Sequence, residues 1–185
     1  MADQATPHIT QDIFYEAVQF VTSQTPPYVV INTLPVGYGF INTRIPALIV
    51  ATPLEETADH GESLCAIFHE YGHLVDMLHW IEKNSELKHK SPFESAVAYN
   101  THLERVGILE TPGNRLNRDA VLAHESAAWE FGKNGFPNAK PHPFKGLIDF
   151  IAQCSSITDK TAIVALYDKT SKKMFETYVN DPKLK

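Results

Sequence analysis

The sequence predicts an α+β fold: one domain with a small sheet, an edge strand packed on a long helix, and further helices. Three observations lead there. Tyr28 to Leu34 and Tyr38 to Thr52 are β-branched and apolar runs separated by Pro35-Val36-Gly37, the composition of strands and a turn. Residues 61 to 84 hold no proline, and Leu64, Ile67, Phe68, Tyr71, Leu74, Val75, Leu78 and Ile81 recur there at helical spacing. The 185 residues suit one core and leave little for a second, so residues 1–185 are read as a single unit.

Taken in order, Thr10 to Ser23 reads as an amphipathic helix, with Thr10 as its cap, Ile13, Ala17, Val18 and Val21 on one face, and Thr25-Pro26-Pro27 as its stop. Pro46 lacks a backbone donor and puts the second apolar run at an edge or a bulge. After the helix at 61 to 84, Pro92 suits the first turn of another from Pro92 to Arg105. Gly107 to Asn117, with Thr111-Pro112-Gly113-Asn114, reads as a loop, and Arg118 to Lys133 as a helix closed by Asn134-Gly135. Pro137 to Pro143 is a proline-rich connection, and Phe144 to Cys154 looks helical. Thr161 to Tyr167 fits either a short strand or the centre of a last helix.

Composition removes several function classes. An apolar fraction of 43% and a charged fraction of 21% are ordinary globular usage. With 22 acidic against 16 basic residues the net charge is -6, which offers no grip on a phosphate backbone, so nucleic acid is not an expected partner. Apolar stretches such as Ile45 to Ala51 fall far short of the roughly 20 residues a bilayer requires. Met1 to Pro7 lacks the basic start and apolar run of a secretory signal, and the expected location is cytoplasmic. Cys65 and Cys154 are then expected as buried thiols.

The chemistry concentrates in His69-Glu70-Tyr71-Gly72-His73. On a helix, residues four apart lie about 40° from one another and one turn along, so both imidazoles reach a single ion. Glu70, beside the first imidazole, is placed to take a proton from an attacking water and pass it to a leaving amine; it is the expected general base. Zinc is the expected ion, and a catalytic zinc needs a third protein ligand and an open position. His79 is one candidate, because His69 to His79 is similar to the metzincin signature except that Asp76 replaces its glycine. Unless the helix breaks there, His79 points about 120° away from His73. Asp76 shares the face of the two imidazoles and is suited to orient one through its second nitrogen, or to be a plain surface acid.

His69 to Asp76 resembles the active-site helix of gluzincins, especially the catalytic domain of anthrax lethal factor and related small zincins. In that group a glutamate on a later helix completes the metal site, with alanine three and phenylalanine six residues on. Glu125, Ala128 and Phe131 fit the pattern, and the resemblance spans about Leu64 to Phe131. It implies a zincin-like domain with Glu125 as third ligand. His124 or Glu130 takes that place if the helix register shifts, Glu130 otherwise being surface or supporting. Tyr99, His142 and Arg118 are all candidates to stabilise an oxyanion, and no spacing selects among them.

The implied activity is zinc-dependent hydrolysis of peptide bonds in a specific protein substrate, with the strand region Phe40 to Thr52 as an edge for pairing with an extended peptide. The alternative is a catalytically weak or inactive module of the same fold that binds a protein partner. A closed structural zinc site would use four Cys or His ligands, whereas here a carboxylate follows the first histidine.

Overall fold

The computed structural model describes residues 7–26, 30–34, 40–42, 47–51, 58–87, 89–136 and 143–184. Six helices dominate it: α1 (Gln11–Gln24), α2 (Gly61–Lys83), α3 (Pro92–Arg105), α4 (Arg118–Asn134), α5 (Leu147–Gln153) and α6 (Lys160–Asn180). The expected α+β class is therefore corrected to a mainly helical fold. Two elements account for the difference. The stretch read as either strand or helix at 161 to 167 lies inside α6, a 21-residue helix, where Ile163 and Tyr167 face the core one turn apart. The extended stretches yield only the short strands β1 (Val30–Leu34), β2 (Phe40–Asn42) and β3 (Ala47–Ala51).

Their order is β1-β3-β2, with β1 parallel and β2 antiparallel to β3. Within the expected edge region Phe40 to Thr52, β2 does lie at an edge of the sheet, whereas Ala47 to Ala51 is the middle strand, paired on both sides, so its backbone is not open to an added peptide. Pro46, on which that expectation rested, lies outside the described residues, as does most of the connection Pro137 to Pro143.

Local chemistry fixes the helix starts. Thr10 Oγ1 accepts from the Ile13 amide, Asn117 Oδ1 from that of Ala120, and Asp159 Oδ1 from that of Ala162, each occupying one of the donors a helix leaves open. Ser91 and Glu94 form a reciprocal capping box ahead of α3, with Pro92 in the first turn. At the start of α2, Asp59 Oδ1 accepts from both the Gly61 amide at 3.1 Å and the Ile9 amide at 2.9 Å, tying the N-terminal segment to that helix.

The central helix is α2, buried from Leu64 to Val75 at all but one position. Phe14, Ala17 and Val21 of α1 pack on one side of it, while Phe20, Phe68 and Phe150 join α1, α2 and α5 with ring centroids 5.5 to 6.2 Å apart. Against another side runs α4, and there the backbones themselves meet. A Cβ on Gly72 would collide with the Ala128 carbonyl, and one on Gly132 with the Phe68 carbonyl. Each helix thus supplies a side-chain-free position where the other's main chain crosses. Tyr167 of α6 packs beside this crossing and donates to the Trp129 carbonyl at 3.1 Å.

The contact at Gly72 fixes the sign of a substitution. On an open helix surface Gly→Ala gains about 1 kcal/mol of helix propensity. At Gly72 the methyl group meets backbone that cannot rotate away, so Gly72→Ala is expected to lower the unfolding free energy by about 1–3 kcal/mol. Urea unfolding followed by circular dichroism measures it, and a rise in midpoint would show that α2 and α4 do not touch there.

Candidate metal centre

Helix α2 continues without a break through Lys83, so His69 and His73 sit one turn apart on it, with ring centroids 4.7 Å from each other. Both are buried, at 6% and 7% exposure. Opposite them, α4 presents Glu125, whose Oε2 lies 3.2 Å from His69 Nε2 and whose Oε1 lies 3.6 Å from His73 Nε2. One ligand atom from each of the three residues falls within 4.8 Å of the others.

These distances bear on whether an ion fits. Bonds of 2.0–2.2 Å from zinc to nitrogen and oxygen, arranged tetrahedrally, separate neighbouring ligand atoms by about 3.4 Å. The 3.2 and 3.6 Å approaches bracket that spacing. Glu125 Oε2, moreover, is buried and makes no aligned hydrogen bond, although it is the oxygen nearest His69. Two imidazole nitrogens and a carboxylate converging on one point, with a buried acceptor still unsatisfied, form a donor set that suits zinc. Burial works against the Glu125 charge, but the adjoining His69 and His73 outweigh it and hold its carboxyl well below the usual carboxylate range.

Glu70 is also buried, on α2 between the two imidazoles in sequence. Its charge reaches two phenols of α6, Tyr167 and Tyr178. Burial, followed by the nearby Glu125 charge, pushes the Tyr178 phenol upward, so it stays protonated at neutral pH. The sequence reasoning missed Tyr178. The available signal was the continuation of the α6 stripe beyond Tyr167 at Met174 and Tyr178, which carries that helix back to the site.

The other expected residues fall elsewhere. His79 packs its ring against Phe136 at 4.4 Å, away from the other two histidines, because the helix does not turn at Asp76. Glu130 is exposed and accepts from Asn134 at 2.7 Å. Asp76 does not orient either claw imidazole: its Oδ2 accepts from the Tyr99 hydroxyl at 2.7 Å and lies 3.6 Å from His124 Nδ1. Tyr99 is thereby engaged in a bond to Asp76. Arg118 is exposed in the first turn of α4, and His142 lies outside the described residues. Cys65 and Cys154 are buried free thiols, the former pushed up to about 12 by burial, and neither joins the cluster.

Two further rings from α4 flank the imidazoles. Trp129 stacks on His69 with centroids 4.2 Å apart and planes 23° apart, and His124 lies 4.6 Å from His73 at 36°. Comparison with protein-family models, curated proteins and solved structures finds no match. No described helix is long and apolar enough to cross a membrane.

The arrangement separates the three candidate ligands from the rejected one by metal content. Wild-type protein exchanged into zinc should carry about one ion per chain, as one three-residue cluster is present among the described residues. His69→Ala, His73→Ala and Glu125→Ala should each lose most of it, and His79→Ala should keep it. Elemental analysis after gel filtration reads the ratio, and loss of zinc in His79→Ala with retention in Glu125→Ala would reverse the assignment.

Proposed function

We propose that this protein is a zinc-dependent metallopeptidase that hydrolyses peptide bonds in a protein substrate. The observation that carries the reading is the convergence of His69, His73 and Glu125 on one buried point, with Glu70 on the same helix between the two histidines. The three residues would hold the ion. Bound there, zinc supplies a Lewis acid and a water acidified to a pKa near 7.

The chain's own groups do the rest. Glu70 accepts the proton of the attacking water and returns it to the nitrogen of the leaving amine, which must depart neutral. Trp129, stacked on His69, covers one side of the site with an apolar face and limits the entry of bulk water. The Tyr178 hydroxyl, within reach of the Glu125 and Glu70 charges, holds a proton donor at the edge of the cluster. That this donor comes from α6 means the site draws on α2, α4 and α6 together.

Glu70→Gln preserves shape and removes the base. Zinc content and the far-ultraviolet circular dichroism should be unchanged, while cleavage of a proteome-derived peptide library, scored by new N-termini, should fall by at least about 10²-fold. Zinc-loaded wild type that cleaves nothing in the library, or no faster than Glu70→Gln, would leave a metal-holding protein whose work is binding a partner.

A further inference from the structure

His73 and His69 are held differently. An imidazole that binds a metal is ordinarily oriented by a hydrogen bond from its second nitrogen to a carboxylate or carbonyl. Neither His69 Nδ1 nor His73 Nδ1 has such a partner among the described residues, although both atoms are buried. The rings must then be fixed by what packs against them. For His69 that is the indole of Trp129, itself 6% exposed and wedged against Tyr167 at 5.0 Å. For His73 it is the ring of His124, a smaller and polar side chain that packing alone would not immobilise.

His124 lies instead beside a partly buried carboxylate. Its Nδ1 faces Asp76 Oδ2 at 3.6 Å, and that oxygen accepts from the Tyr99 hydroxyl at 2.7 Å. The chain joins three helices: Tyr99 from α3, Asp76 from α2 and His124 from α4. We propose that Tyr99, Asp76 and His124 are positioning residues that fix the His73 imidazole, and through it the geometry of the zinc centre. The inference rests on the reading of His69, His73 and Glu125 as that centre.

The charges are arranged to keep the chain made. Burial opposes ionisation of Asp76, but the neighbouring His124 and the bond from Tyr99 hold its carboxyl below the usual range, and Tyr99, buried beside that charge, keeps its proton to donate. His124 immediately precedes Glu125 in sequence, so the helix that brings the carboxylate to the metal also brings the ring that steadies the opposite ligand. His124 side-chain exposure is 12%, enough burial for its contact with His73 to be maintained in one orientation.

The test uses the full chain with zinc and with cobalt as probe metals. Zinc dissociation constants come from competition with a chromophoric chelator for wild type, Tyr99→Phe, Asp76→Asn, His124→Ala and the Tyr99→Phe/His124→Ala pair. Asp76→Asn and His124→Ala should bind zinc about 10- to 100-fold more weakly, the range for losing a group that orients a ligand. Tyr99→Phe should weaken it less. The pair should be no weaker than His124→Ala alone, because removing His124 already disconnects Tyr99 from His73. The visible absorption bands of the cobalt form should shift in each weakened variant, while unfolding of the metal-free protein changes little. Wild type that binds no zinc overturns the metal centre and this inference with it. Zinc bound by wild type with unchanged constants and cobalt bands in the variants overturns the inference alone. So does weaker binding with unshifted cobalt bands and a less stable metal-free protein, since that is ordinary packing.

Discussion

The site depends on the contact between α2 and α4 at the level of the main chain. Gly72 faces the Ala128 carbonyl and Gly132 faces that of Phe68, so neither helix has a side chain to hold the other away. Helices packed through ordinary side chains sit 8–10 Å apart axis to axis. Glycine at the crossing allows the close approach, and the length of a glutamate then suffices to bring Glu125 within 3.2 Å of His69. Gly72 is the residue directly before His73, which makes the centre of the motif a packing position as well as a spacer.

A second constraint is the cost of burying charge. His69, Glu70 and His73 are each less than a tenth exposed, and the Glu125 side chain is 16% exposed. A carboxylate removed from water without compensation loses several kcal/mol or takes up a proton. Here the two imidazoles hold Glu125 ionised. Removing one member of such a group leaves the others unpaired, so the polar cluster stands or falls as a unit.

Helix α4 organises the surroundings through its periodicity. Glu125 faces the claw, Ala128 and Gly132 follow on the side that meets α2, and Trp129, one turn after Glu125, covers His69. His124 is offset by one residue and reaches His73 from another angle, where Asp76 and Tyr99 hold it. Tyr167 of α6 adds a hydrogen bond from its hydroxyl to the Trp129 carbonyl. One short segment therefore carries a proposed ligand, two rings that pack on the other ligands, and the interface that sets their distance.

Local features of the chain were legible in its sequence. The span of α2, the Thr10 cap of α1, the start of α3 at Pro92 and the placing of His69 and His73 on one helical face follow from periodicity, capping chemistry and the 3.6-residue turn, all of which act between near neighbours. The sequence alone also excluded a long apolar span. It did not determine the balance of helix and strand: the apolar pattern at 161 to 167 was compatible with both, and only packing of Tyr167 and Ile163 against the core selects the helix. Nor could spacing decide what faces what across the fold. That Glu125 meets the claw while His79 meets Phe136, that Asp76 turns to Tyr99 and His124, and that Tyr178 returns to Glu125 are outcomes of how α2, α3, α4 and α6 cross. Those crossings are set by contacts between residues tens of positions apart, and a one-dimensional pattern holds the faces of each helix but not the angle or distance at which two faces meet.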